Sequence, residues 1–286
     1  MKKVEIILGK YSGFCSGVRY TVTKAKEELK QTSGTLYCLG EIVHNEKVVD
    51  DLKKSGMIFV QDIHEVPDGS MVIFRAHGEK KEVYDIAKEK NLEIIDLTCG
   101  KIRVIRNKIE KQKIDSFLVM IGKKDHPETL GTISYCGKYC CVVESLSDIE
   151  EAYLRFLSSG LRKVYVVAQT TFSNSLFLKL ANEIIHRFAD AQVMVDNTIC
   201  DATEKRQQEV VELSKTVDEM IIIGGKNSSN TKELFYLAMQ NCAKVYMVQS
   251  VNDLIGIHFR KEGRIGIMAG ASTPVESLEE VMHYLE

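Results

Sequence analysis

Short apolar runs alternate with longer amphipathic segments from one end of the chain to the other. The runs Val4–Leu8, Thr35–Leu39, Met57–Val60, Met71–Arg75 and Leu92–Leu97 read as strands. So do Ser116–Ile121, Tyr139–Val143, Val164–Ala168 and Gln192–Val195, then Glu219–Ile223, Lys244–Val248 and Arg264–Met268. Between them, apolar positions recur at helical spacing, for example over Val18–Lys30, Lys101–Lys113, Ser175–Arg187 and Thr203–Lys215. Near-continuous apolar strands separated by helices predict mainly parallel sheets with helices on both faces. The fold class is α/β.

The pattern repeats three times. Cys15, Cys99 and Cys200 each stand where a short loop turns into a helix, just past a strand-like run. At almost equal spacing beyond them come the strand-ending glycines Gly40, Gly122 and Gly224. These are followed by His44, His126 or Ser228, and then by Glu46, Glu128 or Asn230. A third polar loop follows a later strand in each copy: Ala76-His77-Gly78, Gln169-Thr170-Thr171 and Gly270-Ala271-Ser272. A repeat of about 90 residues exceeds the ~20–50 of solenoid units. It predicts three similar small α/β units in a pseudo-threefold arrangement around a central cavity. The expected boundaries are 12–98, 99–197 and 198–286. The third unit is one strand short, and the N-terminal segment 1–11 is expected to complete its sheet.

Bulk properties narrow the function. The 286 residues are 44% hydrophobic and 27% charged, ordinary for a soluble domain set. A formal net charge of −2 without a basic stripe argues against nucleic-acid binding. No apolar run approaches the ~18 residues of a membrane span, and Glu5 interrupts any signal-peptide reading. A cytoplasmic protein is expected, in which eight cysteines serve as buried thiols or ligands, not disulfides.

Ligands of open α/β sheets bind beyond the carboxyl ends of the strands, where all three repeated loops fall. One cysteine alone reads as a buried thiol. Three at equivalent strand-to-helix junctions point to metal ligation, with zinc and iron–sulfur both compatible. Structural zinc would require a fourth protein ligand. A four-iron cluster on three cysteines would leave one iron open. His44, His77, Ser272 and the run Ser228-Ser229-Asn230 favour an anion with more than one phosphate, although the 224–231 loop could simply cap a helix. Glu128 after His126-Pro127 suits a helix start and, if buried, a proton donor. Cys140 and Cys141 are adjacent in a strand and point to opposite faces, which argues against a second metal site with Cys136. Cys38 and Cys242 read as core. His64, His186, His258 and His283 lack motif context.

These motifs, Gly-Phe-Cys15-Ser-Gly-Val, Gly-Glu-Ile-Val-His44-Asn, Ala-His77-Gly, Thr-Cys99, His126-Pro-Glu128, Gln-Thr170-Thr, Ile-Cys200-Asp-Ala-Thr, Lys-Asn-Ser228-Ser229-Asn230 and Ala-Gly-Ala-Ser272, together resemble the 4-hydroxy-3-methylbut-2-enyl diphosphate reductase (IspH/LytB) family over residues 12–275. The resemblance implies one [4Fe–4S] cluster held by Cys15, Cys99 and Cys200, with one open iron. It implies diphosphate binding by His44, His77, His126, Ser228, Ser229, Asn230 and Ser272. Glu128 would be the proton donor, and Thr170 would position the substrate hydroxyl. The implied reaction is two-electron removal of an allylic hydroxyl, giving isopentenyl and dimethylallyl diphosphate, with a ferredoxin or flavodoxin as electron donor. Gly100 and Asp125 depart from the family pattern, where Pro and Gly are usual, and affect only local loop geometry.

Overall fold

The computed structural model describes residues 4–285. Its strands are β1 (Glu5–Leu8), β2 (Leu36–Leu39), β3 (Ile58–Val60), β4 (Met71–Phe74), β5 (Glu93–Asp96) and β6 (Ser116–Ile121). They continue with β7 (Cys140–Val143), β8 (Lys163–Ala168), β9 (Gln192–Val195), β10 (Glu219–Ile223), β11 (Val245–Val248) and β12 (Arg264–Ala269). The helices are α1 (Ser16–Gln31), α2 (Glu46–Lys54), α3 (Lys81–Glu89), α4 (Gly100–Gln112) and α5 (Pro127–Ile133). After them come α6 (Ile149–Ser159), α7 (Asn174–Arg187), α8 (Asp201–Ser214), α9 (Ser229–Met239) and α10 (Val275–Leu285). Most begin or end within a residue or two of the positions expected from periodicity.

Three four-stranded sheets result, in the orders β3-β2-β4-β5, β7-β6-β8-β9 and β11-β10-β12-β1, and every pairing is parallel. The three orders are the same pattern. In each, the chain leaves the first strand for one edge, then crosses back to the first strand's other side. In the third sheet the fourth position is filled by β1, with Glu5 opposite Arg264 and Leu8 opposite Ile267.

The central strands explain their own burial. All six residues of β6 are buried. Phe117, Val119 and Ile121 pack into one apolar layer, and Leu118 and Met120 into the layer behind. Strand β10 divides in the same way, Ile221 and Ile223 against Met220 and Ile222. A pleat that alternates side chains between two helix-covered faces requires apolar residues at every position.

The chain divides into two compact bodies. One comprises the residues up to Thr23, Val43–Lys54 and everything from Asp201 onward, and so contains the third sheet. The other comprises Lys24–Ile42 and Ser55–Cys200, and contains the first two sheets. Among the described residues no helix is long and apolar enough to cross a membrane.

Candidate active site

Each parallel sheet has a topological switch point between its first and third strands, the place where such sheets bind ligands. The repeated loops flank it. Gly40, Gly122 and Gly224 end the first strands and donate their N–H groups to Val60, Val143 and Val248 at 2.7, 3.0 and 2.8 Å. The cysteines obey an equally regular rule. Cys99 N–H donates to Ala76 O (3.0 Å), Cys200 N–H to Thr170 O (3.0 Å) and Cys15 N–H to Ala271 O (3.1 Å). Each acceptor lies in the loop just after its sheet's third strand. The repeat read from residue types is therefore a repeat of backbone geometry.

All three cysteines are reduced and half-buried. Each immediately precedes a helix, α1, α4 or α8. Cys15 Sγ accepts the Val18 N–H at 3.4 Å. Sulfur donors, partial exposure and helix N-termini fit an iron–sulfur or zinc group. The other thiols differ. Cys38, Cys136, Cys141 and Cys242 are buried, and burial pushes Cys38 and Cys141 up to about 12.

In the body containing the first two sheets, the acid and its partners are assembled by α5. His126 caps this helix, its Nδ1 accepting the Glu128 N–H at 3.1 Å, with Pro127 in the first turn. An accepting Nδ1 leaves any proton of neutral His126 on Nε2. Glu128, only 2% exposed, accepts from Thr170 N–H (2.6 Å) and from Thr170 Oγ1 (2.7 Å). Burial pushes its carboxyl above the ordinary carboxylate range; the two Thr170 hydrogen bonds and the charge of Arg106 pull the other way. The His77 and His126 rings meet edge to face at 5.6 Å. The start of α5 and the loops after β4 and β8 thus present a buried acid, a hydroxyl and two imidazoles.

Arg106 is the residue that sequence reading missed. It is a buried cation in α4. Its Nη2 donates to His77 O at 3.3 Å, and its guanidinium lies over the Tyr135 ring at 4.8 Å. A Cβ at either Gly78 or Gly131 would come within 2.6 Å of its nitrogens, so both glycines are needed for this close approach. The signal was present: Ile102, Ile105, Arg106 and Ile109 share one stripe, so Arg106 had to point inward.

In the other body, the anion-type residues come together around the start of α9. Ser228 caps α9, accepting the Thr231 N–H at 3.2 Å. Ser272 Oγ donates to His44 O at 3.1 Å. Gly225 packs against the His44 carbonyl so closely that any Cβ would overlap it. Ser228, Ser229, Asn230 and Ser272 are all buried. Both amide atoms of Asn230 are buried without a hydrogen-bond partner, a costly arrangement unless a ligand completes it. Arg206 anchors the Cys15 loop by donating Nη2 to Gly13 O at 2.6 Å. The remaining histidines, His64, His186, His258 and His283, are exposed.

These features define an α/β enzyme-type scaffold of three repeated parallel sheets, with thiols and polar loops at the strand ends. The LytB protein family profile matches residues 6–286. The chain is 38% identical over 282 residues to the 4-hydroxy-3-methylbut-2-enyl diphosphate reductase of Aquifex aeolicus (strain VF5), covering 97% of this chain and 94% of that protein. The protein of the same name from Thermoanaerobacter sp. (strain X514) is 35% identical, over 98% of this chain and 96% of its own. The Plasmodium falciparum E-1-hydroxy-2-methyl-but-2-enyl-4-diphosphate reductase structure superposes with a TM-score of 0.87 at 28% identity, covering 99% of this chain and 88% of that one. A structure of (E)-4-hydroxy-3-methyl-but-2-enyl diphosphate reductase, described as the terminal enzyme of the non-mevalonate pathway, gives a TM-score of 0.70 at 37% identity, covering 99% of both chains. The chain belongs to the LytB family.

Proposed function

We propose that this chain reduces (E)-4-hydroxy-3-methylbut-2-enyl diphosphate to isopentenyl and dimethylallyl diphosphate. Two electrons and two protons are consumed, the allylic C–O bond breaks, and the hydroxyl leaves as water. One observation carries the reading: three cysteines occupy the same backbone position in three copies of one sheet, each N–H bonded to the matching carbonyl. Cys15, Cys99 and Cys200 would hold a [4Fe–4S] cluster. When bound there, it supplies the reducing electrons and one iron without a protein ligand, open to the substrate oxygen.

The chain's own residues account for binding and proton delivery. Asn230, Ser228, Ser229, Ser272 and His44 bind the diphosphate, helped by the N-terminus of α9. His77 and His126 add ring N–H donors, His126 through Nε2. Holding the diphosphate fixes the hydroxyl end, so remote binding energy orients the reacting bond. Glu128 holds the proton. Its burial favours the acid form, and Thr170 Oγ1 links its carboxyl to the substrate hydroxyl. An external ferredoxin- or flavodoxin-type protein supplies electrons, and the reaction is cytoplasmic.

The test is direct. Protein prepared without oxygen is assayed for iron and acid-labile sulfide, then given the allylic diphosphate and a strong reductant. About four of each per chain and formation of the two isoprenoid diphosphates are expected. Zinc without sulfide would favour a three-cysteine zinc enzyme. A sulfide-containing protein that leaves the diphosphate unchanged would favour a non-catalytic cluster protein.

A further inference from the structure

Outside the site just described, two thiols face each other across a tight turn. Cys136 follows the last turn of α5, its N–H bonded to Ile133 O at 3.0 Å. Cys140 opens β7, an edge strand of its sheet. Gly137 between them has φ 77°, a left-handed conformation that folds the four-residue span back on itself. Both side chains pack on the same face of the sheet, whereas Cys141 packs on the opposite one. Cys136 is buried and Cys140 half-buried, next to exposed Gly137 and Lys138.

We propose that Cys136 and Cys140 form a reversible intrachain disulfide with a low-molecular-weight disulfide as the oxidant. The Cys140 thiolate attacks one sulfur of the external disulfide and expels the first small thiolate, forming a mixed disulfide. Cys136 loses its proton and attacks Cys140 Sγ, expelling the second. Two protein thiols and one external disulfide become one protein disulfide and two small thiols, so the electron pair ends on the external reagent.

The chemistry of the pair suits this order. The side-chain hydrogen bond from Cys136 lowers the Cys140 thiol to about 7, with help from Arg155 and against partial burial. The same hydrogen bond, then burial, pushes the Cys136 thiol up, while Lys113 opposes it. Cys140 is therefore the accessible nucleophile and Cys136 the resolving thiol. Closing the bond ties the carboxyl end of α5 to β7, and the amino end of that helix carries Glu128.

The experiment uses the holoprotein prepared without oxygen, equilibrated with oxidised and reduced glutathione at stepped ratios. It is then acid-quenched, alkylated and digested with trypsin. Cleavage after Lys138 places the thiols on separate peptides, 125–138 and 139–155. A linked pair of these peptides is expected. It should rise with the oxidised fraction, vanish on reduction, be lost in C136S and C140S, and persist in C141S. Linkage that survives in C140S, or a wild-type protein carrying only glutathione adducts or no linkage at any ratio, would overturn the proposal.

Discussion

Glu128 is held between opposing influences, and its pH behaviour follows. Burial, the largest, raises its pKa in the folded chain above the unfolded value, so the folded state binds more protons. That contribution is fully present below the unfolded pKa and is lost as pH rises through the folded one. Glu128→Gln, which carries no charge at any pH, escapes this loss. The melting temperature of the variant minus that of the parent should therefore increase as pH rises above the ordinary carboxylate range. The same variant should keep its iron and sulfide while turnover falls by roughly 10²–10⁴-fold. An unchanged rate would remove Glu128 from the chemistry. Thr170→Val deletes one of the two contacts that favour the carboxylate. It should move the alkaline limb of the pH–rate profile, where Glu128 gives up its proton, to higher pH, and a profile identical to the parent's would contradict the pairing.

Helix α5 separates structural from chemical duty at one position. Asparagine caps helices well and alanine poorly, a difference of about 0.5–2 kcal/mol. His126→Asn should keep the parent's melting temperature and lose affinity for inorganic diphosphate, measured by calorimetry. His126→Ala should lose both. The neighbouring helix α4 shows where sequence reading falls short. Its bounds were legible from the apolar stripe, and so was the cysteine that precedes it. The inward turn of Arg106 was not seen, because a lone basic residue among Lys101, Arg103 and Lys108 reads as part of a solvated face. What buries it is Gly78 and Gly131, which lie in other segments and leave room for the guanidinium. Arg106→Leu removes a buried cation beside Glu79 and Glu128. It should cost about 1–3 kcal/mol in chemical denaturation, since the His77 carbonyl loses its donor while Glu79 keeps its ion pair with Arg75.

The threefold repeat was legible in the chain because each strand is a short apolar run and each loop ends in a recognisable polar residue; the strand order within each sheet comes from the structure. The cysteines, histidines and the serine–asparagine loop could likewise be placed at strand ends. The hydrogen-bond details could not: that Ala76, Thr170 and Ala271 all receive a cysteine N–H depends on backbone approach between distant segments. Replacing any one of Cys15, Cys99 and Cys200 by Ser should remove visible-range cluster absorption, leaving the far-ultraviolet circular dichroism of α/β structure in place. The third sheet carries one more implication. Among the described residues β1 pairs with β12 alone, and about 250 residues separate the two strands. At about 5–20 residues per second, a ribosome delivers β12 roughly 13–50 s after β1. Throughout that interval β1 waits without the strand it pairs with, so the third sheet closes only after the strands of the other two have emerged.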